Sequence, residues 1–140
     1  MGVDPYVPNY DEEDDFVKHV TDSLGGEPDL ALNLLSELVQ ENFSQFNNSQ
    51  LVRSFSSDFF DENFDTFDFI FVDGNHKFEF VTRDLEGSWN ALEVGGILAG
   101  DDYLWPEVRE AVESFASRKS RRVHFASNEP NGYPIWYINR

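Results

Sequence analysis

The chain has 140 residues, no cysteine, 14 phenylalanines and a net charge of -17. Its length predicts one domain over residues 1–140, and a 40% hydrophobic content argues for a packed core rather than disorder. The lack of cysteine excludes disulfides and thiolate metal sites and fits a reducing, cytoplasmic compartment, while the acidic field repels nucleic acids and anionic membranes and attracts cations.

No apolar run approaches the roughly 18 residues of a membrane span. Met1 to Asp15 also lacks the basic-then-apolar pattern of a signal peptide. Gly2-Val3-Asp4 reads as a short strand stopped by Pro5 and Pro8. The acidic run Asp11 to Asp15 reads as a solvated loop or the first turn of a helix. Phe16 to Leu24 is an amphipathic stretch closed by Gly25-Gly26. Pro28 suits a helix start, and Leu30, Leu34, Leu35 and Leu38 recur at helical spacing up to Phe43. A turn at Asn47 to Ser49 leads into a strand over Leu51 to Phe55.

Phe67 to Val72, FDFIFV, is the clearest strand, rich enough in apolar residues to be covered on both faces. It stops at Asp73-Gly74. A helix over His76 to Leu92 follows, with Phe80, Leu85, Trp89 and Leu92 at apolar positions. Gly95-Gly96 ends it, and a strand over Ile97 to Gly100 stops at Asp101-Asp102. Pro106 opens a helix with Val108, Ala111, Val112 and Phe115 on one face. Arg121 to Ala126 and Ile135 to Ile138 form a final antiparallel pair around the Asn131-Gly132 turn. The alternation predicts an α/β fold: a Rossmann-like, mostly parallel sheet with helices on both faces and a C-terminal antiparallel strand pair.

In such sheets ligands bind beyond the carboxyl ends of the strands. Asp4, Asp73, Asp101 and Asp102 all follow strands. Neighbouring strand ends lie about 5 Å apart, so Asp73, Asp101 and Asp102 would crowd their charges at one spot. Three hard oxygen donors suit Mg²⁺ or Ca²⁺. The alternative is that Asp73 and Asp102 merely cap the helices that follow them. His76, three residues after Asp73, is placed to act as a general base. Tyr103 and Trp105 form either an aromatic wall over a ligand or ordinary packing. His19 and His124 have no comparable setting.

The stretch from Asp73-Gly74-Asn75-His76-Lys77-Phe78-Glu79 through Arg83-Asp84-Leu85, Gly95-Gly96, Asp101-Asp102-Tyr103 and the Val108 to Val112 helix resembles class I S-adenosylmethionine-dependent methyltransferases. It is most similar to the metal-dependent O-methyltransferases related to catechol O-methyltransferase and to the macrolide and aminocoumarin sugar enzymes, over roughly residues 50 to 140. The resemblance implies S-adenosylmethionine and Mg²⁺ or another divalent cation as cofactors, with a small-molecule hydroxyl as acceptor. By position it implies Asp73, Asp101 and Asp102 as metal ligands and His76 as the base. It places Asp4 on the cofactor ribose, Ser56 and Ser57 near the adenine, and counts Asp73 among the cofactor-binding positions as well.

The family opens with a strand and a Gly-rich turn, whereas this chain starts at the family's second strand, Gly2-Val3-Asp4. The expectation is an N-terminally truncated methyltransferase-like domain, acting as a homo-oligomer or with a complementing N-terminal segment. Two other readings stand beside it: a non-catalytic remnant working through a partner, and a metal-dependent α/β enzyme of another type. Tyr103, Trp105 and the Asn128 to Tyr133 turn are candidates for choosing the acceptor.

Overall fold

A computed structural model describes residues 1–8, 15–126 and 134–140. Its chain divides into two units, Met1–Phe59 and Phe60–Arg140. In the first, β1 (Gly2–Val3) pairs in parallel with β2 (Leu51–Val52), Gly2 opposite Leu51 and Val3 opposite Val52. Between them run α1 (Phe16–Leu24) and α2 (Pro28–Ser44). Gly25 stops α1 at φ 76°, a left-handed conformation that costs glycine little, and its N–H bonds Thr21 O at 2.8 Å. Pro28 occupies the first turn of α2, where a missing N–H costs nothing.

The helical leucine spacing in α2 is real, but the buried stripe differs from the expected one. Ala31, Leu32 and Ser36 are buried, whereas Leu30, Leu34 and Leu38 face solvent. Val17 and Val20 of α1 pack against Ala31 and Leu32, together with Tyr6, Leu35, Val39 and Leu51. The small Ala31 side chain lets α1 approach on that side, so the neighbouring helix, not the leucine count, selects the face. Strand β2 also stops at Val52 rather than Phe55, and Ser56 and Ser57 open a short helix, α3 (Ser56–Glu62), that the sequence reading lacked.

The second unit is a four-stranded sheet in the order β3-β4-β6-β5. β3 (Phe67–Val72) runs parallel to β4 (Leu92–Gly100), with Ile70 opposite Leu98 and Val72 opposite Gly100. β6 (Trp136–Asn139) pairs antiparallel with β4 on one side and with β5 (His124–Phe125) on the other. The C-terminal antiparallel pair is therefore present, though shorter than Arg121 to Ala126 suggested. The Asn131-Gly132 turn and the Asn128 to Tyr133 segment lie outside the described residues.

Helices α4 (Phe78–Ala91) and α5 (Pro106–Arg118) close over one face of this sheet. Val81, Leu85 and Trp89 of α4 meet Val108, Ala111, Val112 and Phe115 of α5, with Leu98, Trp136 and Ile138 beneath. Leu92 ends α4 and begins β4, so Gly95 and Gly96 lie inside the strand rather than before it. Backbone bonds to Arg140 hold them there, from Gly95 N to Arg140 O at 3.2 Å and from Arg140 N to Gly96 O at 3.0 Å.

The expectation that both faces of β3 are covered does not hold. Ile70 and Val72 pack on the core, but Phe69 is 57% and Phe71 41% exposed on the opposite face. Alternation along an edge strand, not continuous burial, describes it. Among the described residues no helix is long and apolar enough to cross a membrane.

Candidate functional site

Strands β3 and β4 end side by side, because Val72 pairs with Gly100. The residues that follow, Asp73 and Asp101-Asp102, are thereby brought together as their spacing predicted. One carboxylate oxygen from each of the three lies within 4.8 Å of the others. A cation with ligand distances of about 2.0 to 2.6 Å needs donors spread no wider than that.

The acids do not cap the following helices. The N-cap of α4 is Lys77 and that of α5 is Trp105, neither with a side-chain cap. The first turn of α4 is instead satisfied from across the unit: Glu107, at the start of α5, accepts the Phe78 N–H at 2.8 Å. Asn75 accepts the Lys77 N–H at 2.8 Å, which shapes the loop carrying His76.

Burial pushes the Asp101 carboxyl up from its ordinary value, and the charges of Asp73 and Asp102 push it further. His76 acts in the opposite direction. Crowded carboxylates of this kind favour a bound cation or a retained proton. The donor set, oxygens only, is of the kind a hard divalent ion takes.

His76 joins the same cluster. Its Nε2 lies 2.9 Å from Asp102 Oδ2. An ionised carboxylate only accepts, so in the neutral imidazole Nε2 carries the hydrogen and Nδ1 keeps its lone pair. The Trp105 ring stacks on the imidazole, with centroids 4.9 Å apart and planes 8° from parallel. The stacking places Trp105 beside the acid cluster. Tyr103 is turned to structural use: its hydroxyl donates to Glu113 at 2.7 Å and its ring meets Phe125 edge-on. Burial, with help from Glu113, pushes the Tyr103 phenol up to about 12, which removes it as a base near neutral pH.

Asp102 stands at φ 52°, a left-handed conformation. Aspartate tolerates it better than most residues, yet it still costs on the order of 1 kcal/mol. Neighbouring bonds hold it: the Trp105 N–H bonds Asp102 O at 2.9 Å, and the Trp136 indole N–H bonds Asp101 O at 2.8 Å. Trp136, like Glu107, escaped the sequence reading. Its only advance signal was an aromatic residue in the strand destined to pair with β4.

The remaining candidates, Asp4, Ser56 and Ser57, belong to the first unit. Asp4 follows β1, and its Oδ1 accepts the Tyr6 N–H at 2.7 Å. Burial pushes its carboxyl up, while the Tyr6 bond and the Arg53 charge draw it down. Arg53, also missed, ties this turn together by donating to Tyr6 O at 3.1 Å and Pro5 O at 3.3 Å. Ser57 sits in the first turn of α3 with its hydroxyl on Asp58 at 3.3 Å.

No curated protein sequence matches the chain significantly. Among solved structures, the O-methyltransferase NovP superposes over 99% of this chain with a TM-score of 0.65 at 18% identity, and the chain spans 58% of NovP. CalS11, a TDP-rhamnose 3'-O-methyltransferase of calicheamicin biosynthesis, gives a TM-score of 0.61 at 16% identity over 99% of this chain and 57% of its own. A candidate methyltransferase from Streptococcus mutans, solved in complex with SAH, gives 0.56 at 16% identity, with 79% of this chain and 70% of its own covered. These likenesses establish a Rossmann-like methyltransferase fold. A family model described as a methyltransferase domain matches residues 10–103, more than half of the sequence, and the chain belongs to that family.

Proposed function

We propose that this chain serves S-adenosylmethionine-dependent methyl transfer to a hydroxyl oxygen of a small molecule, with a divalent cation at Asp73, Asp101 and Asp102. The observation that carries the reading is the meeting of those three carboxylates with His76 at the ends of two parallel strands. Family membership supports the methyl donor, and one structural neighbour was solved in complex with SAH.

A divalent ion there would supply Lewis-acid polarisation of the acceptor hydroxyl, with Mg²⁺ the ion the oxygen donors suit best. The chain's own residues do the rest. Asp102 orients the imidazole through Nε2, leaving Nδ1 to take the hydroxyl proton. Trp105 restricts the ring to one plane. The exposed Leu104 and Trp105 side chains offer an apolar rim beside the acids, suited to the carbon skeleton of an acceptor. Asp4, with Ser56 and Ser57, is assigned to the cofactor's ribose and adenine. Lack of cysteine accords with a cytoplasmic setting.

A contribution from a second polypeptide segment is favoured by one specific observation. Among the described residues β3 is the terminal strand of its sheet, and Phe69 and Phe71 are exposed on its face away from the core. A complementing strand, or a second copy of the chain, would satisfy that edge.

Calorimetric titration with S-adenosylmethionine, with and without Mg²⁺, tests the proposal. Binding of the cofactor and of Mg²⁺ is expected. No heat from the cofactor under either condition would overturn the assignment. Mg²⁺ binding without any affinity for the cofactor would favour a metal-dependent enzyme of another type.

A further inference from the structure

We propose that Trp136 is a positioning residue for the acid cluster: its indole N–H fixes the peptide between Asp101 and Asp102 and so holds Asp102 in the left-handed conformation that presents its carboxylate. The inference rests on the metal-site reading above.

The carbonyl that Trp136 grips, at 2.8 Å, belongs to Asp101. That oxygen lies in the same planar peptide unit as the Asp102 nitrogen. Fixing the plane therefore restrains the rotation about the Asp102 N–Cα bond, the angle found at 52°. The next peptide is held as well, by the Trp105 N–H on Asp102 O at 2.9 Å. Asp102 is thus clamped on both sides, and its two backbone rotations are set by bonds rather than by local preference. The result is a carboxylate aimed at His76 and gathered with Asp73 and Asp101.

The indole cannot leave this position. Trp136 is 1% exposed, within the core formed by α4, α5 and the sheet. An indole N–H buried there without an acceptor is costly, so the bond to Asp101 is retained. Gly100 makes room for the ring. It pairs with Trp136 across the sheet, and a β-carbon at position 100 would collide with the indole and lie 2.6 Å from Val72 O. Glycine before the acid pair and tryptophan on β6 therefore act together.

Two variants separate the indole N–H from the bulk of the ring. Trp136→Phe removes the donor and part of the volume. Incorporation of benzothienylalanine at position 136 removes the donor and keeps the shape, so it remains informative if Trp136→Phe fails to fold. The first measurement is the pair of Asp102 Cα and Cβ chemical shifts, which report left-handed backbone without any metal present. The second is the Kd for Mg²⁺ by calorimetry, where loss of a group that orients a ligand is worth about tenfold. Ile138→Val, on the same buried strand but without a bond to the acids, serves as the stability control.

The expected result is an Asp102 shift that leaves the left-handed range and a Mg²⁺ Kd raised about tenfold in the donor-less variants, with both unchanged in Ile138→Val. An unmoved Asp102 shift, or a moved shift with unaltered Mg²⁺ affinity, would overturn the positioning role while leaving wild-type metal binding intact. Failure of the wild-type chain to bind Mg²⁺ would instead overturn the metal-site reading, and the chemical shifts would still decide whether Trp136 holds the corner.

Discussion

Asp101→Asn is expected to weaken Mg²⁺ binding by at least about 100-fold, because groups that merely orient a ligand are already worth 10- to 100-fold. The same substitution should raise the Tm of the metal-free protein at neutral pH. The two effects have one cause. Burial and the charges of Asp73 and Asp102 raise the Asp101 carboxyl above its ordinary 3.8. An acid raised in the folded state favours folding when protonated. That contribution is complete below the unfolded value and is lost as pH climbs through the folded one. At neutral pH the ionised Asp101 therefore works against the metal-free fold, and asparagine removes the repulsion. Thermal melts from pH 4 to pH 7 should show a shallower decline for Asp101→Asn than for the wild type. Mg²⁺ reverses the ranking, since ten times its Kd stabilises the wild type by about 1.4 kcal/mol and the variant hardly at all. A variant that keeps wild-type Mg²⁺ affinity would remove Asp101 from the ligand set.

Phe115→Ala should cost about 3–5 kcal/mol in urea unfolding, the range for truncating a fully buried phenylalanine. Phe115 has no exposed surface and meets Trp89 edge-on at 5.5 Å. It joins α5 to α4 over the sheet that carries the acids. The Arg118 and Lys119 cations lie 5.8 and 5.3 Å from its ring centre, so the truncation also strips their partner. At about 0.05–0.15 kcal/mol per residue, a unit of this size has roughly 4–12 kcal/mol of stability, so the expected loss is a large share of it. The variant should unfold at markedly lower urea. A cost below 1 kcal/mol would show that α5 does not depend on this contact.

Much of this organisation was written in local pattern. The apolar face Val108, Ala111, Val112 and Phe115 gave α5 directly, because helical period alone determines which side chains share a face. Asp73 and Asp101-Asp102 could be brought together from sequence because parallel neighbours end at one edge of a sheet. Other features depended on partners distant in sequence. The exposed Leu30, Leu34 and Leu38 and the buried Ala31 and Leu32 exchange places relative to expectation, because α1 chooses the side of α2 it covers. Gly95 and Gly96 remain in β4 because Arg140 bonds to them, and Phe69 and Phe71 are exposed because they lie on the β3 face turned away from the α4 and α5 core. The supporting residues of the site were least legible. Trp136 lies 35 positions from the carbonyl it holds, Glu107 lies 29 from the N–H it caps, and no short-range spacing records such bonds.

We propose that Asp73, Asp101 and Asp102 form one cation site with His76 beside it. Mn²⁺ added at a small fraction of the protein concentration tests this residue by residue, since a bound paramagnetic ion broadens the resonances of nearby nuclei. Amide and side-chain signals of Asp73, His76, Asp101 and Asp102 are expected to broaden first and together, and to recover when excess Mg²⁺ displaces the ion. Broadening spread evenly over the chain's many acids, or concentrated away from these four residues, would contradict it.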